Sequence, residues 1–420
     1  MERIVKYLEQ DPPALRPALA RFRELAKERL AEWELRDIGE SADDCIQQLQ
    51  NGSPPSTAEL EAAPLSGLKA VDRELFDTAT PGECSPGTPV LDGDNEHWVV
   101  RRTRPGTGFN ARRGKPGHYT PWHHVLSACI EGIPTQVRSV PHDTARACTR
   151  IVDNNAFKVA IARFEDGAGE TFRKFDATKH FRMEALNTPQ ARLQSALDAL
   201  TKACDEQVDC LIFPELTFTR GIAQAFAEHL FDASLEPASN LPPLVVIGSY
   251  HEATHTIDKP HTRNRALLLA HDGSQLMCHD KRSKVLFKFE PDGPDWEEAL
   301  APCETPYELL PLDAGLVGLA ICKDLFDGPV SKLLYDLDLD WLLVPSMSDK
   351  LTEHQTKTGQ LRKQSGTVSI VANQAMPGHT SGTPYPCGYV QQGPKPDPCT
   401  NPLTIVSIPL AAHRLRLVKG

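Results

Sequence analysis

Residues 209–250 contain the clearest structural pattern in the chain. DCLIFPE (209–215) is followed by a helical pattern from Arg220 to Phe231, and then by PLVVIGSY (243–250). The two flanking segments are continuous apolar runs rich in Val, Ile and Leu, which is typical of strands covered on both faces. A buried strand, a helix and a second buried strand are the elements of a layered α/β domain.

The same alternation extends in both directions along the chain. FKVAIARF (157–164) and a helical pattern from Pro189 to Cys204 precede this region. The apolar runs that follow it are RNRALLLA (263–270), SQLMC (274–278), YELLPL (307–312), GLVGLAIC (315–322), DWLLVPS (340–346), GTVSIVAN (366–373) and PLTIVSI (402–408). Several runs are too close together to leave room for a helix, so parts of the sheet must be joined by hairpins. We therefore expect one α/β domain over residues 156–420.

The first 155 residues do not show this alternation of apolar runs and helical patterns. Apolar residues recur at helical spacing behind a start signal at Asp11, which predicts a helical segment over residues 1–50. Residues 51–95 are rich in Pro, Ser, Thr, Gly and acids, which is typical of a linker. Residues 96–155 are interpreted as a small extension of unknown role, with a strand at 97–102 and a helix at 122–133.

Composition excludes several classes of protein. The chain has 420 residues, with 45 Lys and Arg against 56 Asp and Glu, and a net charge of −11, which argues against broad capture of nucleic acid or an anionic membrane. The basic run 101–115 is interpreted as a solvated loop, with a contact to nucleic acid as the alternative. No uncharged apolar run approaches the roughly 20 residues that span a bilayer, so a cytoplasmic protein is expected. The 11 cysteines include no C-x-x-C pair, which favours reduced thiols.

Three of the apolar segments lead into a reactive side chain, namely Glu215, Lys281 and Cys322. A cysteine thiol with a pKa of about 8.5 is only slightly ionised at neutral pH, so a nucleophilic cysteine needs a base or a nearby cation. A carboxylate can act as the base, and an ammonium can hold a developing oxyanion. The alternatives are a small buried hydrophobe for Cys322, a helix N-terminal acid for Glu215 and a solvated charge for Lys281.

The order and spacing of these residues resemble the nitrilase (carbon–nitrogen hydrolase) superfamily over about residues 156–410. The three matching blocks are FPEL (213–216), GSQLMCHDK (273–281), in which the lysine follows the glycine by eight residues, and GLAICKDLFD (318–327). KVAIARF (158–164) resembles the first strand of the family, and VSIVANQA (368–375) resembles a late strand.

The resemblance implies a four-layer-forming αββα sandwich, and the helical pattern of residues 1–50 adds a mainly helical extension before it. It implies Glu215 as general base, Lys281 as oxyanion stabiliser and Cys322 as the nucleophile that forms a thioester. It also implies the backbone N–H of Lys323 as a second oxyanion donor and Glu290, in LFKFEPDG (286–293), as an auxiliary glutamate. Neither a metal nor an organic cofactor is required, because all of these groups belong to the protein.

The function implied is hydrolysis of a non-peptide carbon–nitrogen bond in a small molecule. An amide is favoured over a nitrile or a carbamoyl compound, and a homodimer or larger assembly is expected. The alternative is an inactive nitrilase-fold module for binding or assembly with a protein or nucleic-acid partner. This alternative is motivated by residues 1–155, which match no part of the family, and by the proline-rich segment 382–399.

Overall fold

The computed structural model describes residues 129–410, except 165–168, 237–238, 254–260, 291, 327, 338, 375–386 and 400, together with the backbone of three short strands at 89–91, 97–101 and 123–127. The predicted helical segment 1–50, most of the predicted linker 51–95 and most of the basic run 101–115 lie outside the described residues.

The described residues form short strands and a few helices. The strands are β1 (Pro89–Leu91), β2 (His97–Arg101), β3 (His123–Ser127), β4 (Cys129–Ile130), β5 (Ile133–Val137), β6 (Ala156–Ala162), β7 (Glu170–Phe175), β8 (His180–Leu186), β9 (Cys210–Ile212), β10 (Leu244–Ala253), β11 (Thr262–Ala270), β12 (Gln275–Asp280), β13 (Leu286–Phe287), β14 (Trp296–Glu298), β15 (Tyr307–Leu312), β16 (Gly315–Leu319), β17 (Trp341–Met347), β18 (Val368–Gln374), β19 (Gly388–Gln391), β20 (Asp397–Cys399) and β21 (Leu403–Pro409). The helices are α1 (His142–Asp153), α2 (Pro189–Asp205), α3 (Arg220–Ser234), α4 (Gly328–Asp336) and α5 (Thr352–Gln364), with a 3-10 helix at Cys322–Leu325.

Two large mixed sheets organise the domain. The first has six strands in the order β12-β11-β10-β9-β6-β21, and the second has eight in the order β20-β19-β18-β17-β16-β15-β5-β4. Strands β6, β9 and β10 are parallel, whereas β10, β11 and β12 follow one another as antiparallel hairpins. The prediction of a partly hairpin-connected sheet is confirmed.

The layers follow from the two-residue period of the strands. In β6, Val159 and Ile161 face the core between the two sheets, while Ala160 and Ala162 face α2 and α3. The outer face of the eight-stranded sheet is covered in the same way by α4 and α5. Each fully buried aliphatic side chain contributes about 1.5–3 kcal/mol. The predicted αββα sandwich is confirmed.

The two helices of the first outer layer begin where the sequence predicts. Helix α2 starts at Pro189, a favoured residue for the first turn because it needs no hydrogen-bond acceptor for its nitrogen. Helix α3 starts after Thr219, whose side chain accepts a hydrogen bond from the backbone N–H of Ile222. Both helices run further than predicted, by one residue in α2 and three in α3.

The structure corrects two predictions for residues 96–155. The predicted helix at 122–133 is wrong, because this segment forms β3, β4 and the start of β5, with a tight turn at Glu131 and Gly132 where both φ angles are positive (51° and 77°). The domain boundary at residue 156 is too late, because β5 pairs in parallel with β15 and Ile133 is buried in the core. The sandwich therefore includes residues 129–155.

A smaller four-stranded sheet, in the order β13-β14-β8-β7, lies beside the six-stranded one. The two sheets are joined at His251 of β10, whose Nδ1 accepts a hydrogen bond from the backbone N–H of Met183 in β8 at 2.7 Å. Strand β14 pairs with β8, so this small sheet determines where the end of β14 lies. Within the described residues, no helix combines the length and apolar character needed to cross a membrane.

Candidate active site

Glu215 is held in a sharp bend just after β9. The next residue, Leu216, has a positive φ of 54°, and its N–H donates to the hydroxyl of Ser249 at 3.0 Å. Gly248 of β10 makes the bend possible, because a Cβ at this position would come within 1.7 Å of the carbonyl oxygen of Pro214. The glycine lets two backbones approach closely and directs the Glu215 side chain into the domain.

Lys281 and Cys322 are connected through Asp324. Lys281 directly follows β12, and its N–H donates to the carbonyl of Asn264 at 2.8 Å. Asp324, two residues after the cysteine, accepts hydrogen bonds from the backbone N–H groups of Arg282 and Ser283 at 3.1 and 2.9 Å. The carboxylate of Asp324 is fully buried, and it joins the turn after the lysine to the 3-10 helix that begins with the cysteine.

Cys322 adopts a backbone conformation that residues other than glycine rarely adopt. Its φ is 45°, and it stands where β16 ends and the 3-10 helix begins. A left-handed conformation costs a residue other than glycine about 1–2 kcal/mol. The strain is concentrated at the residue that carries the sulfur, as is common at functional sites.

This strain predicts an unusual order of stability between two inactive variants. Cys322→Gly should be at least as stable as Cys322→Ala, because glycine adopts a positive φ without steric cost and this offsets its larger loss of chain entropy on folding. Chemical denaturation of the two purified variants is the measurement. A Cys322→Ala protein that is more stable than Cys322→Gly by the ~0.4–1 kcal/mol typical of unstrained positions would contradict the prediction.

The core of the site is one ammonium shared by two carboxylates. Lys281 Nζ lies 2.7 Å from Glu215 Oε1 and 2.7 Å from Glu298 Oε2. The amide nitrogen of Asn264 donates to the same two glutamates, at 2.9 Å to Glu215 and 2.8 Å to Glu298. The second oxygen of Glu215 accepts the backbone N–H of Met347 at 2.9 Å. These contacts hold the glutamate and lysine side chains rigidly.

The second glutamate of the site is Glu298, and this corrects the prediction made for Glu290. Glu290 is exposed, whereas Glu298 is fully buried at the end of β14. The predicted residue follows the lysine in the chain, but the pairing of β14 with β8 brings a residue eight positions further along to Lys281. In WEE (296–298), Glu297 is partly exposed and Glu298 is buried. The two-residue period of a strand, counted from the buried Trp296, could have predicted that Glu298 points inward.

His251 supports Glu298 from behind. Because its Nδ1 accepts the N–H of Met183, its proton must lie on Nε2, which donates to Glu298 Oε1 at 3.0 Å. The ring is buried, with its side chain 1% exposed, and it holds the carboxylate in position.

The charges of the cluster fall into a definite pattern. Burial opposes ionisation of Glu298, but Lys281 and His251 outweigh it and bring its pKa to about 2. Burial would also lower the pKa of Lys281, yet the two carboxylates raise it well above its ordinary value. Burial raises the pKa of Glu215, and Coulombic repulsion from Glu298 adds to this increase while Lys281 opposes it. Glu215 is therefore the group of the three that is best suited to take up and release a proton.

The Cys322 thiol lies against this cluster as a neutral group. Burial, followed by the charge of Glu215, raises its pKa to about 12. Its sulfur donates to the carbonyl of Met347 at 3.9 Å, and the thiol in turn lowers the pKa of Glu215. Cys322, Glu215 and Lys281 are all buried. The structure thus brings the three predicted residues together.

The remaining predicted residue is Lys323, which occupies the second position of the 3-10 helix, directly after the cysteine. Its carbonyl accepts the N–H of Phe326 at 3.2 Å. The role of its backbone N–H as an oxyanion donor stays a prediction.

Two further side chains near the sulfur were missed in the sequence analysis. His354 Nε2 lies 3.5 Å from Cys322 Sγ and 3.1 Å from the hydroxyl of Ser346. His354 lies in the first turn of α5, a helix with few apolar residues. Its buried positions Leu351, His354, Thr358 and Leu361 nevertheless recur at spacings of three and four. A helix whose inner face includes polar residues gives no hydrophobic signal, although its periodicity is intact.

One protein-family model matches the central part of the chain. The family model described as carbon-nitrogen hydrolase matches residues 183–367, which span Glu215, Lys281 and Cys322. Over this segment the chain is similar to carbon–nitrogen hydrolases, and the predicted resemblance to them is confirmed. No curated protein sequence is significantly similar to the chain.

Similar solved structures include several of one amidase from Nesterenkonia sp. AN1. The NitN amidase after removal of its tag is 16% identical, with a TM-score of 0.44, over 61% of this chain and 94% of that one. A variant with the acetamide moiety of fluoroacetamide covalently added at the active-site cysteine is 17% identical, with a TM-score of 0.42, over 62% and 93%. A variant in complex with butyramide is 16% identical, with a TM-score of 0.43, over 62% and 94%.

Proposed function

We propose that this protein hydrolyses the carbon–nitrogen bond of a small amide through a thioester on Cys322. The observation that carries the proposal is the sharing of one buried ammonium, that of Lys281, by Glu215 and Glu298, with a strained cysteine beside them. A purely structural role would not require two carboxylates, an ammonium and a thiol to be buried in contact, because burying charged groups is costly.

In the proposed reaction Glu215 acts as the general base. Its raised pKa makes it a better proton acceptor than an ordinary carboxylate. Glu215 and Cys322 both contact Met347, whose N–H donates to Glu215 at 2.9 Å and whose carbonyl accepts from the thiol at 3.9 Å, so the base lies near the proton that must be removed. The thiol pKa of about 12 means that the proton leaves as the sulfur attacks, not before. Glu298, with its pKa of about 2, stays ionised and keeps Lys281 charged and oriented.

Lys281 stabilises the charge that develops on the substrate oxygen. Two of its three N–H bonds are directed to Glu215 and Glu298 at 2.7 Å. The third has no acceptor among the described residues, and in this proposal it donates to the oxyanion. The backbone N–H of Lys323 supplies the second donor in this proposal. One such donor contributes about 3–4 kcal/mol to the transition state.

The proton and the bonds balance over two half-reactions. In acylation the S–C bond forms as the thiol proton passes to Glu215, and the C–N bond breaks as Glu215 returns that proton to the departing ammonia. In deacylation water attacks the thioester, gives a proton to Glu215, and the C–S bond breaks as the sulfur recovers that proton. An amide suits this cycle better than a nitrile, because the amide nitrogen leaves as ammonia with the one proton that Glu215 returns, whereas a nitrile nitrogen must gain three protons before it can leave.

The decisive experiment is a measurement of ammonia release by the purified protein. The panel should contain small aliphatic amides, glutamine, carbamoyl compounds and the nitriles that correspond to the amides. Release from one or more amides at a higher kcat/KM than from the matched nitriles is expected. Release from nitriles alone would replace the amidase proposal, and release from no member would favour the alternative of a binding or assembly module.

The pH dependence of this activity tests the role of Glu298. Because the negative charge of Glu298 raises the pKa of Glu215, Glu298→Gln should lower that pKa and move the acid limb of the kcat/KM profile to lower pH. Only the base form of Glu215 starts the reaction, so activity rises with pH through this pKa in both proteins.

Glu290→Gln is the matched control for this experiment, since the same change is made at an exposed glutamate outside the cluster. Its acid limb should coincide with that of the wild type. An acid limb that moves to higher pH in Glu298→Gln, or that shifts equally in the control, would contradict the assignment.

A further inference from the structure

The nucleophile has a second set of neighbours, namely Ser346 in β17 and His354 in α5. His354 is 2% exposed and Ser346 is fully buried. His354 Nε2 is within reach of both the sulfur and the Ser346 hydroxyl, at 3.5 and 3.1 Å. Ser346 also lowers the pKa of the Cys322 thiol. The proposed cycle of Glu215 and Lys281 assigns no task to either side chain.

His354 is a neutral imidazole. Burial lowers its pKa, the positive charge of Lys281 lowers it further, and the result is about 4. The edge of its ring faces Phe326, with the ring centroids 5.0 Å apart. These apolar surroundings and the nearby ammonium disfavour an imidazolium, so a resting ion pair between His354 and a Cys322 thiolate is not expected.

The hydrogen bonds indicate which nitrogen carries the proton. His354 Nδ1 is buried and has no hydrogen-bond partner among the described residues. A proton on Nδ1 would leave a buried N–H without an acceptor, whereas a proton on Nε2 has both the sulfur and the serine oxygen in reach. An unpaired buried acceptor is tolerated better than an unpaired buried N–H. The favoured tautomer therefore directs a donor at the sulfur.

We propose that His354 and Ser346 form a neutral donor pair that stabilises the negative charge on Cys322 Sγ, both when the sulfur attacks and when it departs. This inference rests on the proposed function and assigns it two more residues. His354 Nε2–H donates to the sulfur and to Ser346, and the Ser346 hydroxyl donates to the sulfur. His354 keeps its proton throughout, and the thiol proton still moves to Glu215.

The two donors compensate for an otherwise unfavourable environment. Burial and the Glu215 carboxylate both disfavour a thiolate at this position, and Lys281 is engaged by two carboxylates. A hydrogen bond to a charged group contributes enough to change a rate by about 10- to 100-fold. We expect an effect of this size when the His354 donor is removed.

The test is alkylation of Cys322 by iodoacetamide, followed by mass spectrometry of the peptide that contains it. His354→Phe keeps a ring in the site but removes the donor, and it should slow alkylation about 10- to 100-fold. His354→Gln retains an N–H at a similar reach and should recover most of the rate. Ammonia release from the best amide should show the same order in kcat, with KM nearly unchanged.

Thr358→Val is the matched control. Thr358 is buried on the same face of α5, and its hydroxyl contacts the His354 carbonyl and the Tyr389 hydroxyl, each at 2.9 Å, but not the sulfur. It should alkylate like the wild type. Equal slowing in Thr358→Val and His354→Phe would show a general disturbance of α5 and overturn the proposal, as would a wild-type rate in His354→Phe.

The pH dependence separates a neutral donor from an ion pair. The titratable groups that act on His354 are Cys322 and Lys281. Alkylation of the wild type should accelerate with increasing pH, and a rate that is constant from acid to alkaline pH would indicate a preformed imidazolium–thiolate pair and refute the proposal. Alkylation requires no turnover, so a protein that releases no ammonia but still loses reactivity in His354→Phe would disprove the amidase function alone.

Discussion

Cys322→Ala is expected to lose amide hydrolysis by about 10⁴-fold or more, while its melting temperature stays close to that of the wild type. The proposed cycle has no route around the thioester, because neither Glu215 nor Lys281 can form the acyl intermediate. The stability change should be small, since only one sulfur atom is removed and Ala retains the strain at φ 45° that cysteine already bears. Ammonia release and thermal unfolding of the same preparation measure both quantities.

Cys148→Ala is the matched control for this variant. Cys148 is also buried, and its thiol pKa is likewise raised to about 12, mainly by burial. Cys148 lies in α1. The carboxylate that raises the pKa of its thiol most is Asp209, which is paired with Arg150. The control should keep full activity. Undiminished ammonia release from Cys322→Ala would refute the thioester mechanism and favour a structural thiol.

Lys281→Met is expected to lose activity and to destabilise the fold by about 3–5 kcal/mol at neutral pH. Glu215 and Glu298 are both buried, and each carboxylate lies 2.7 Å from the Lys281 ammonium. The substitution removes this ammonium and leaves the two negative charges without a counter-charge. The cost of an uncompensated buried charge exceeds the loss of the two hydrogen bonds themselves. Denaturant unfolding across a pH series is the measurement.

The direction of the pH effect distinguishes this mechanism from a simple packing defect. Without the lysine, the folded-state pKa values of the two glutamates rise above their unfolded values, so protonation relieves the penalty. The stability deficit against the wild type should therefore shrink as pH falls and grow as pH rises through the raised pKa values. A deficit that stays constant from acid to neutral pH would indicate lost packing of the lysine stem instead of unpaired charge.

The double variant Lys281→Met with Glu298→Gln completes the argument. It removes one of the two negative charges together with the ammonium, so one buried carboxylate remains where Lys281→Met has two. It should therefore be more stable than Lys281→Met at neutral pH. Equal stability of the single and double variants would contradict an electrostatic origin of the loss.

The αββα architecture could be predicted because the pattern of apolar residues within each short segment indicates which of its faces are buried. A strand covered on both faces must be apolar at every position, as in CLI (210–212) of β9, and a covering helix must show helical periodicity, as in α3. Where local pattern was ambiguous, the prediction failed. Residues 122–133 were predicted to be a helix, but β3 pairs with β2, and β4 pairs with β5 around a turn at Glu131 and Gly132.

The proximity of Glu215, Lys281 and Cys322 was predictable for a different reason. Each lies just beyond an apolar strand, and the ends of neighbouring strands in a layered sheet meet at common edges. A residue placed by strand pairing outside the main sheets has no such marker. Glu298 comes to Lys281 because β14 pairs with β8, and a count of positions along the chain pointed to Glu290 instead.

Local residue order was sufficient for the layers of the domain and for the three groups that meet at the ends of its strands, because periodicity and burial act over neighbouring residues. The contacts that give these groups their chemistry depend on tertiary packing. Glu298, the His251 ring behind it, and His354 and Ser346 near the sulfur are brought in from separate elements. The shifted pKa values of Glu298 and His354 result from burial and from nearby charges, and neither cause exists until the chain has folded.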